Sequence, residues 1–231
     1  MQTLLLSLET SSPVCSVALH RLADGSLVGQ TELRLDKSHS THLTVLMEQL
    51  LANAGQQLAD LAAVAVSDGP GSYTGLRIGG AAAKGLCFAL DIPLVAVSTL
   101  RALAAQVAAG TARPENFLFC PMLDARRLEV YAAVYTHEGQ EVLAPTPLLL
   151  DAETLAEQLA DRSVLFFGSG AAKFRALRGE HPNAGFLAGI EPSAVAVGTL
   201  AVAAFHRQEF QDVAYYEPFY LKEVYTTTPR A

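Results

Sequence analysis

Apolar residues in this chain fall into short, nearly solid runs that end in glycine, acid or hydroxyl residues, and between the runs lie stretches with helical spacing. Runs of four to eight apolar residues predict strands, and recurrence every three to four positions predicts helices. In the first half, 3–8 reads as a strand ending in the turn Glu9-Thr10-Ser11-Ser12, 14–19 as a second strand and 27–35 as a third after an Asp24-Gly25 turn. A helix over 38–54 and a buried strand over 61–66 follow. The second half repeats the order: a strand over 116–123 ending at Asp124, a turn at Ala125-Arg126-Arg127, strands at 129–135 and 141–143, a helix at 152–160 and a strand at 164–167 entering Gly168-Ser169-Gly170.

A β-β-β-α-β order occurring twice, with an acid closing the first strand and glycines closing the fourth, predicts an α/β fold. It is that of two ribonuclease-H-like lobes of the actin/hexokinase/Hsp70 architecture. The segmentation is 1–105 for the N-terminal lobe, with 207–231 returning to it, and 106–206 for the C-terminal lobe. Further elements are a strand at 92–97, a helix at 99–109 and a last helix at 193–206 that Pro192 can open. The aromatic piece 215–222 reads as a packing clasp, and 226–231 as a disordered tail.

The run from Ser67 to Gly80 joins a strand to an Ala-rich helix through Gly69-Pro70-Gly71. It is either a turn that packs helix on sheet or, through bare helix-start amides, an anion site. Ser72 or Thr74 can cap the helix. Gly75, Gly79 and Ala83 fall at i, i+4 and i+8, so one helix face carries almost no side chain. Each mid-helix glycine costs ~1 kcal/mol relative to alanine, which implies close approach by something: the sheet beneath, or a second helix across an interface. The 38–54 helix carries Leu43, Leu46, Met47, Leu50, Leu51 and Ala54 on a stripe of about 140°, wider than the ~100° of a surface helix. It reads as core, or as core plus a partner contact.

The 231 residues carry a formal charge of −7 with scattered basic residues, which argues against autonomous nucleic-acid binding. Three separated cysteines in apolar settings indicate neither disulfides nor zinc and suit a reducing cytosol. No run approaches the ~20 apolar residues of a membrane span. His39 and His42 share a helix start without a third ligand and read as solvated. Glu9, Thr10 and Ser11 stand where nucleotide-binding members of the architecture place an acid and hydroxyls, and Gly168 and Gly170 supply the matching loop. A phosphotransferase would follow Asp124 with a glycine pair, whereas here Arg126 and Arg127 follow. This leaves a vestigial nucleotide site as the reading of those five residues.

Leu8 to Leu19, Gly69 to Gly79 and Ile92 to Leu100, together with Asp124-Ala125-Arg126 and Tyr220-Leu221-Lys222, resemble the TsaB family of bacterial tRNA threonylcarbamoyladenosine biosynthesis proteins. Lys222 departs from the arginine commoner there. The resemblance implies a non-catalytic subunit that pairs with the catalytic paralogue TsaD, joined by the ATPase TsaE, in modifying the adenosine beside the anticodon. It implies tRNA contact only through the complex, no metal, no cofactor of its own, and ATP or ADP only at the interface of the assembly. Where TsaD carries metal-binding histidines, this chain has Thr99 and Leu103. Family members also form homodimers through similar surfaces, two N-lobe helices on each side. Carried onto this chain, that interface is Leu43, Met47, Leu50, Thr74, Gly75, Ile78, Gly79, Ala82 and Ala83. The rival readings are an ATP-dependent phosphotransferase and a metallopeptidase of the same architecture.

Overall fold

A computed structural model describes residues 3–35 and 38–222. One order of elements occurs twice. The first set is β1 (Leu4–Glu9), β2 (Cys15–Arg21), β3 (Leu27–Leu33), α1 (His39–Asn53), β4 (Leu61–Gly69), α2 (Tyr73–Leu90), β5 (Leu94–Ser98) and α3 (Thr99–Gly110). The second is β6 (Phe117–Asp124), β7 (Glu129–Tyr135), β8 (Glu141–Leu149), α4 (Ala156–Asp161), β9 (Ser163–Phe167), α5 (Ala171–Arg178), β10 (Ala184–Phe186) and α6 (Ala194–His206). Two five-stranded sheets result, ordered β3-β2-β1-β4-β5 and β10-β9-β6-β7-β8. In each, the first three strands pair antiparallel and the last two join in parallel. This is the ribonuclease-H-like lobe built twice.

Period-two alternation sorts the first sheet's side chains. Leu4, Leu6 and Leu8 face α1 and α2, where they meet Leu43, Met47, Leu50 and Ala83. Leu5, Ala63, Ala65 and Val95 face the other way, onto α6. Both faces are covered, which is why the strands read as solid apolar runs.

The third helix of each half is exchanged. Helix α3 sets Leu100, Leu103, Ala104 and Val107 among Phe119, Ala133, Tyr135 and Phe167 of the second sheet. Helix α6 lies against β1 and β2 of the first. The sequence reading closes the first lobe at residue 105 and leaves 193–206 in the second, and the packing cuts across both boundaries. Helical spacing reveals that a face must be buried, not which sheet buries it. Small residues at Ala196, Gly198 and Ala201 bring α6 close to its sheet.

After α6 the chain runs back along the first lobe. The Gln211 amide donates to the Leu94 carbonyl on edge strand β5 at 2.8 Å, and Val213 and Tyr216 join the core under α1 and α2. Residues 223–231, including the tail at 226–231, lie outside the described residues. No helix among the described residues is long and apolar enough to cross a membrane.

Candidate functional site

Glu9 is the last residue of β1 and is wholly buried. Its Oε1 accepts from the Ser11 amide at 2.6 Å and from the Ser67 hydroxyl at 3.0 Å, while Oε2 has no partner among the described residues. Burial pushes the Glu9 carboxyl above its ordinary value, against hydrogen bonds from Ser11 and Ser67 that pull it down. Thr10 turns its hydroxyl to the Gly75 carbonyl at 2.8 Å. The Ser72 amide donates to the Ser11 carbonyl at 2.7 Å. Helix α2, capped by Ser72 through the Gly75 amide, therefore closes over the acid-and-hydroxyl turn.

That closure accounts for the bare face of α2. A Cβ at Gly75 would stand 2.0 Å from the Thr10 carbonyl oxygen, and one at Gly79 would stand 2.3 Å from the Thr10 hydroxyl. The close approach implied by the glycine spacing is to the β1–β2 turn of the same lobe. At Gly75 and Gly79 this face is filled from within the lobe.

Gly168 and Gly170 form the equivalent corner of the second lobe, and their own contacts are to the end of β6. Gly168 packs on the Met122 carbonyl, and the Gly170 amide donates to that same carbonyl at 2.9 Å. Asp124 takes Lys173 at 2.7 Å and the Arg126 amide at 2.7 Å, and its own amide donates to Ser169 Oγ at 3.1 Å. The five residues read as one vestigial nucleotide site thus come from two corners, one in each lobe, and each corner is closed by its own helix start.

Six of the nine residues carried onto an interface lie in the core. Leu43, Met47, Leu50, Gly75, Gly79 and Ala83 are buried within the lobe, because the wide stripe of α1 and the small face of α2 pack on the sheet and its turn. Thr74 is exposed, and Ile78 and Ala82 are half-buried. The outward faces of the two helices carry instead Val45, Thr74, Ala81, Gly85 and Phe88. Phe88 is 85 % exposed, and a Cβ at Gly85 would meet nothing within 4 Å. Phe88 sits off the apolar stripe of its helix, a signal the sequence does contain.

His42 is exposed, but His39 is buried, contrary to its reading as solvated. Thr99 and Leu103 are fully buried core residues of α3. Among the described residues no group of three His, Cys, Asp or Glu is placed to hold a metal ion. His20 is buried beneath α6, its ring 2.3 Å from where a Cβ at Gly198 would stand. Burial pulls its pKa below the ordinary value.

A family model described as TsaD, tRNA N6-adenosine threonylcarbamoyltransferase, matches residues 34–216. A Bacillus subtilis protein named tRNA threonylcarbamoyladenosine biosynthesis protein TsaB is 37 % identical over 169 residues, covering 71 % of this chain and 70 % of that one. The crystal structure of an uncharacterised Pseudomonas aeruginosa protein, described as similar to the peptidase YeaZ, superposes with a TM-score of 0.80 at 32 % identity. It covers 95 % of this chain and 100 % of its own. Component A of the Acidaminococcus fermentans (R)-2-hydroxyglutaryl-CoA dehydratase shares the fold at 10 % identity, with a TM-score of 0.52 over 90 % of this chain and 100 % of its own.

Proposed function

Because this chain belongs to the TsaD-type threonylcarbamoyltransferase family and, within it, to the TsaB proteins, we propose that it is a non-catalytic subunit in the synthesis of N6-threonylcarbamoyladenosine in tRNA. Its partner is the catalytic subunit TsaD, with TsaE joining the assembly in the cytoplasm. With a net charge of −7, it meets tRNA only through the complex. The observation that carries the reading is the closed acid turn. Glu9, Thr10 and Ser67 are bonded to one another and to the start of α2, so the position that serves phosphate in nucleotide-binding relatives of this architecture serves folding here.

The partner surface in this reading is the outer face of α1 and α2. Ala81, Ala82 and Gly85 allow close helix approach, with Val45, Ile78 and Phe88 filling the contact. Exposed aromatic residues set among small ones are the usual anchors of such contacts. Threonylcarbamoyl transfer to tRNA is measured with purified TsaD, TsaE and a source of the threonylcarbamoyl adenylate, with and without this chain. Transfer that requires both TsaD and this chain is expected. Transfer by this chain without TsaD would overturn the non-catalytic assignment. Calorimetry with Mg-ATP tests the phosphotransferase reading, which demands binding by the isolated chain.

A further inference from the structure

The C-terminal segment passes from one lobe to the other within eight residues. Tyr216 is buried beneath α2 beside Gly80, and Lys84 Nζ donates to the Ala214 and Tyr216 carbonyls at 3.1 and 3.0 Å. The Phe219 amide donates to the Asp68 carbonyl at 2.8 Å. Its own carbonyl oxygen lies 2.5 Å from where a Cβ at Gly69 would stand, and Gly69 has a φ of +114°. Only glycine accommodates both constraints. Tyr220 packs on the Tyr73 ring at 5.1 Å, and the Arg77 guanidinium lies over that same ring. Two residues later, Lys222 Nζ meets both carboxylate oxygens of Glu129 at 2.6 and 2.7 Å.

These anchors share one location in the topology. Gly69 ends β4, and Glu129 opens β7 beside Asp124, which ends β6. In open α/β sheets the crevice outside the carboxyl ends of the parallel strands is the ligand site. Three residue steps reach at most ~11 Å, so the path from Phe219 to Lys222 crosses the mouth between the two strand ends directly. We propose that residues 215–222 are a clasp that occupies this crevice and fixes the angle between the lobes without a ligand, with the Lys222–Glu129 ion pair as its far anchor. The near end is rooted in the core by Tyr216 and by backbone bonds. The far end rests on a pair whose side chains are 36 % and 33 % exposed, and salt screens such a pair only in part.

The test measures the distance between spin labels on cysteines introduced at exposed Ala203 of α6, which packs on the first sheet, and exposed Glu157 of α4 in the second lobe. Cys15, Cys87 and Cys120 are buried and stay unlabelled in the folded protein. A narrow distance distribution is expected. Lys222→Ala and Glu129→Ala should each broaden it at least twofold, and Lys222→Glu combined with Glu129→Lys should narrow it again. Unchanged width in the single variants would overturn the clasp. Broadening that the reversed pair leaves in place would also overturn it, since the restraint would then lie elsewhere.

Discussion

Replacing glycine by alanine at two positions of one helix should change stability in opposite directions. In α2, a Cβ at Gly75 falls 2.0 Å from the Thr10 carbonyl oxygen, about 1.4 Å inside ordinary contact at 3.4 Å. That oxygen belongs to the main chain and cannot rotate away. Relief requires the β1–β2 turn to move, an overpacking cost of about 1–3 kcal/mol. The movement also breaks the 2.8 Å bond from the Thr10 hydroxyl to the Gly75 carbonyl and leaves a buried hydroxyl unsatisfied, a further ~1–3 kcal/mol. Alanine returns at most ~1 kcal/mol of helix propensity. The net loss is about 3 kcal/mol, or roughly 6–12 °C in Tm for a chain of this size. Gly85 is exposed with nothing within 4 Å, so Gly85→Ala keeps only the propensity gain, about 0.5–1 kcal/mol.

At Gly79 the obstructing atom is the Thr10 hydroxyl oxygen at 2.3 Å. That group can rotate at the expense of its hydrogen bond, so Gly79→Ala should fall between the other two. Urea titration of the three purified variants beside the parent protein reads the order directly. A Gly75→Ala protein as stable as the parent, or a Gly85→Ala protein less stable than Gly79→Ala, would refute the assignment of the bare face to the turn.

Burial raises the Glu9 carboxyl above 4.5, so the folded protein holds this proton more tightly than the unfolded chain. Stability must then fall as pH rises from 4.5 through the raised folded value, and level off above it. Glu9→Gln should gain on the parent in urea midpoint between pH 4 and pH 8, and a constant difference would contradict the burial argument. The lowered His20 value has the opposite sign: its contribution is complete above 6.5 and is lost as pH falls. His20→Gln should flatten the decline in urea midpoint between pH 7 and pH 5, and a slope like the parent's would rule that out. Phe88→Asp should leave Tm within about 2 °C, as exposed substitutions usually cost under ~0.5 kcal/mol, while reducing co-purification with TsaD at least tenfold. Undiminished capture would place the contact on another face.

The repeat was legible because acid, hydroxyl or glycine residues stand at or just past the ends of the first and fourth strands of each lobe. Glu9-Thr10-Ser11-Ser12 and Gly69-Pro70-Gly71 punctuate the first lobe, and Asp124 and Gly168-Ser169-Gly170 the second. Where punctuation fails, so does the reading. Pro145 and Pro147 cut the apparent strand at 141–143, yet β8 runs Glu141–Leu149, since proline is tolerated on an edge strand and β8 is one. Helix α5 and the three-residue β10 complete the second copy, but eight and three residues are too short for periodicity to rise above its neighbours. The predicted helix at 152–160 shrinks to Ala156–Asp161, where Asp151 and Thr154 bind each other in a turn instead.

The burial of six of the nine residues carried onto a partner surface has a different cause. Gly75, Gly79 and Ala83 state correctly that something approaches α2 closely, and the spacing carries no information about what does. Thr10 lies 65 positions from Gly75, and only the parallel pairing of β1 with β4 brings its turn to the start of α2. Once that contact is made, the small face is used up, together with the Leu43, Met47 and Leu50 stripe. A second protein can meet only what folding leaves over. On α2 that remainder also carries small residues, Ala81 and Gly85, with Phe88 one turn beyond. The helix is therefore small on two faces, one consumed by its own lobe and one open. Introducing Leu at Gly79 would unfold the turn before it tested any interface. Introducing Leu at Gly85 leaves the lobe intact and obstructs only an approach from outside.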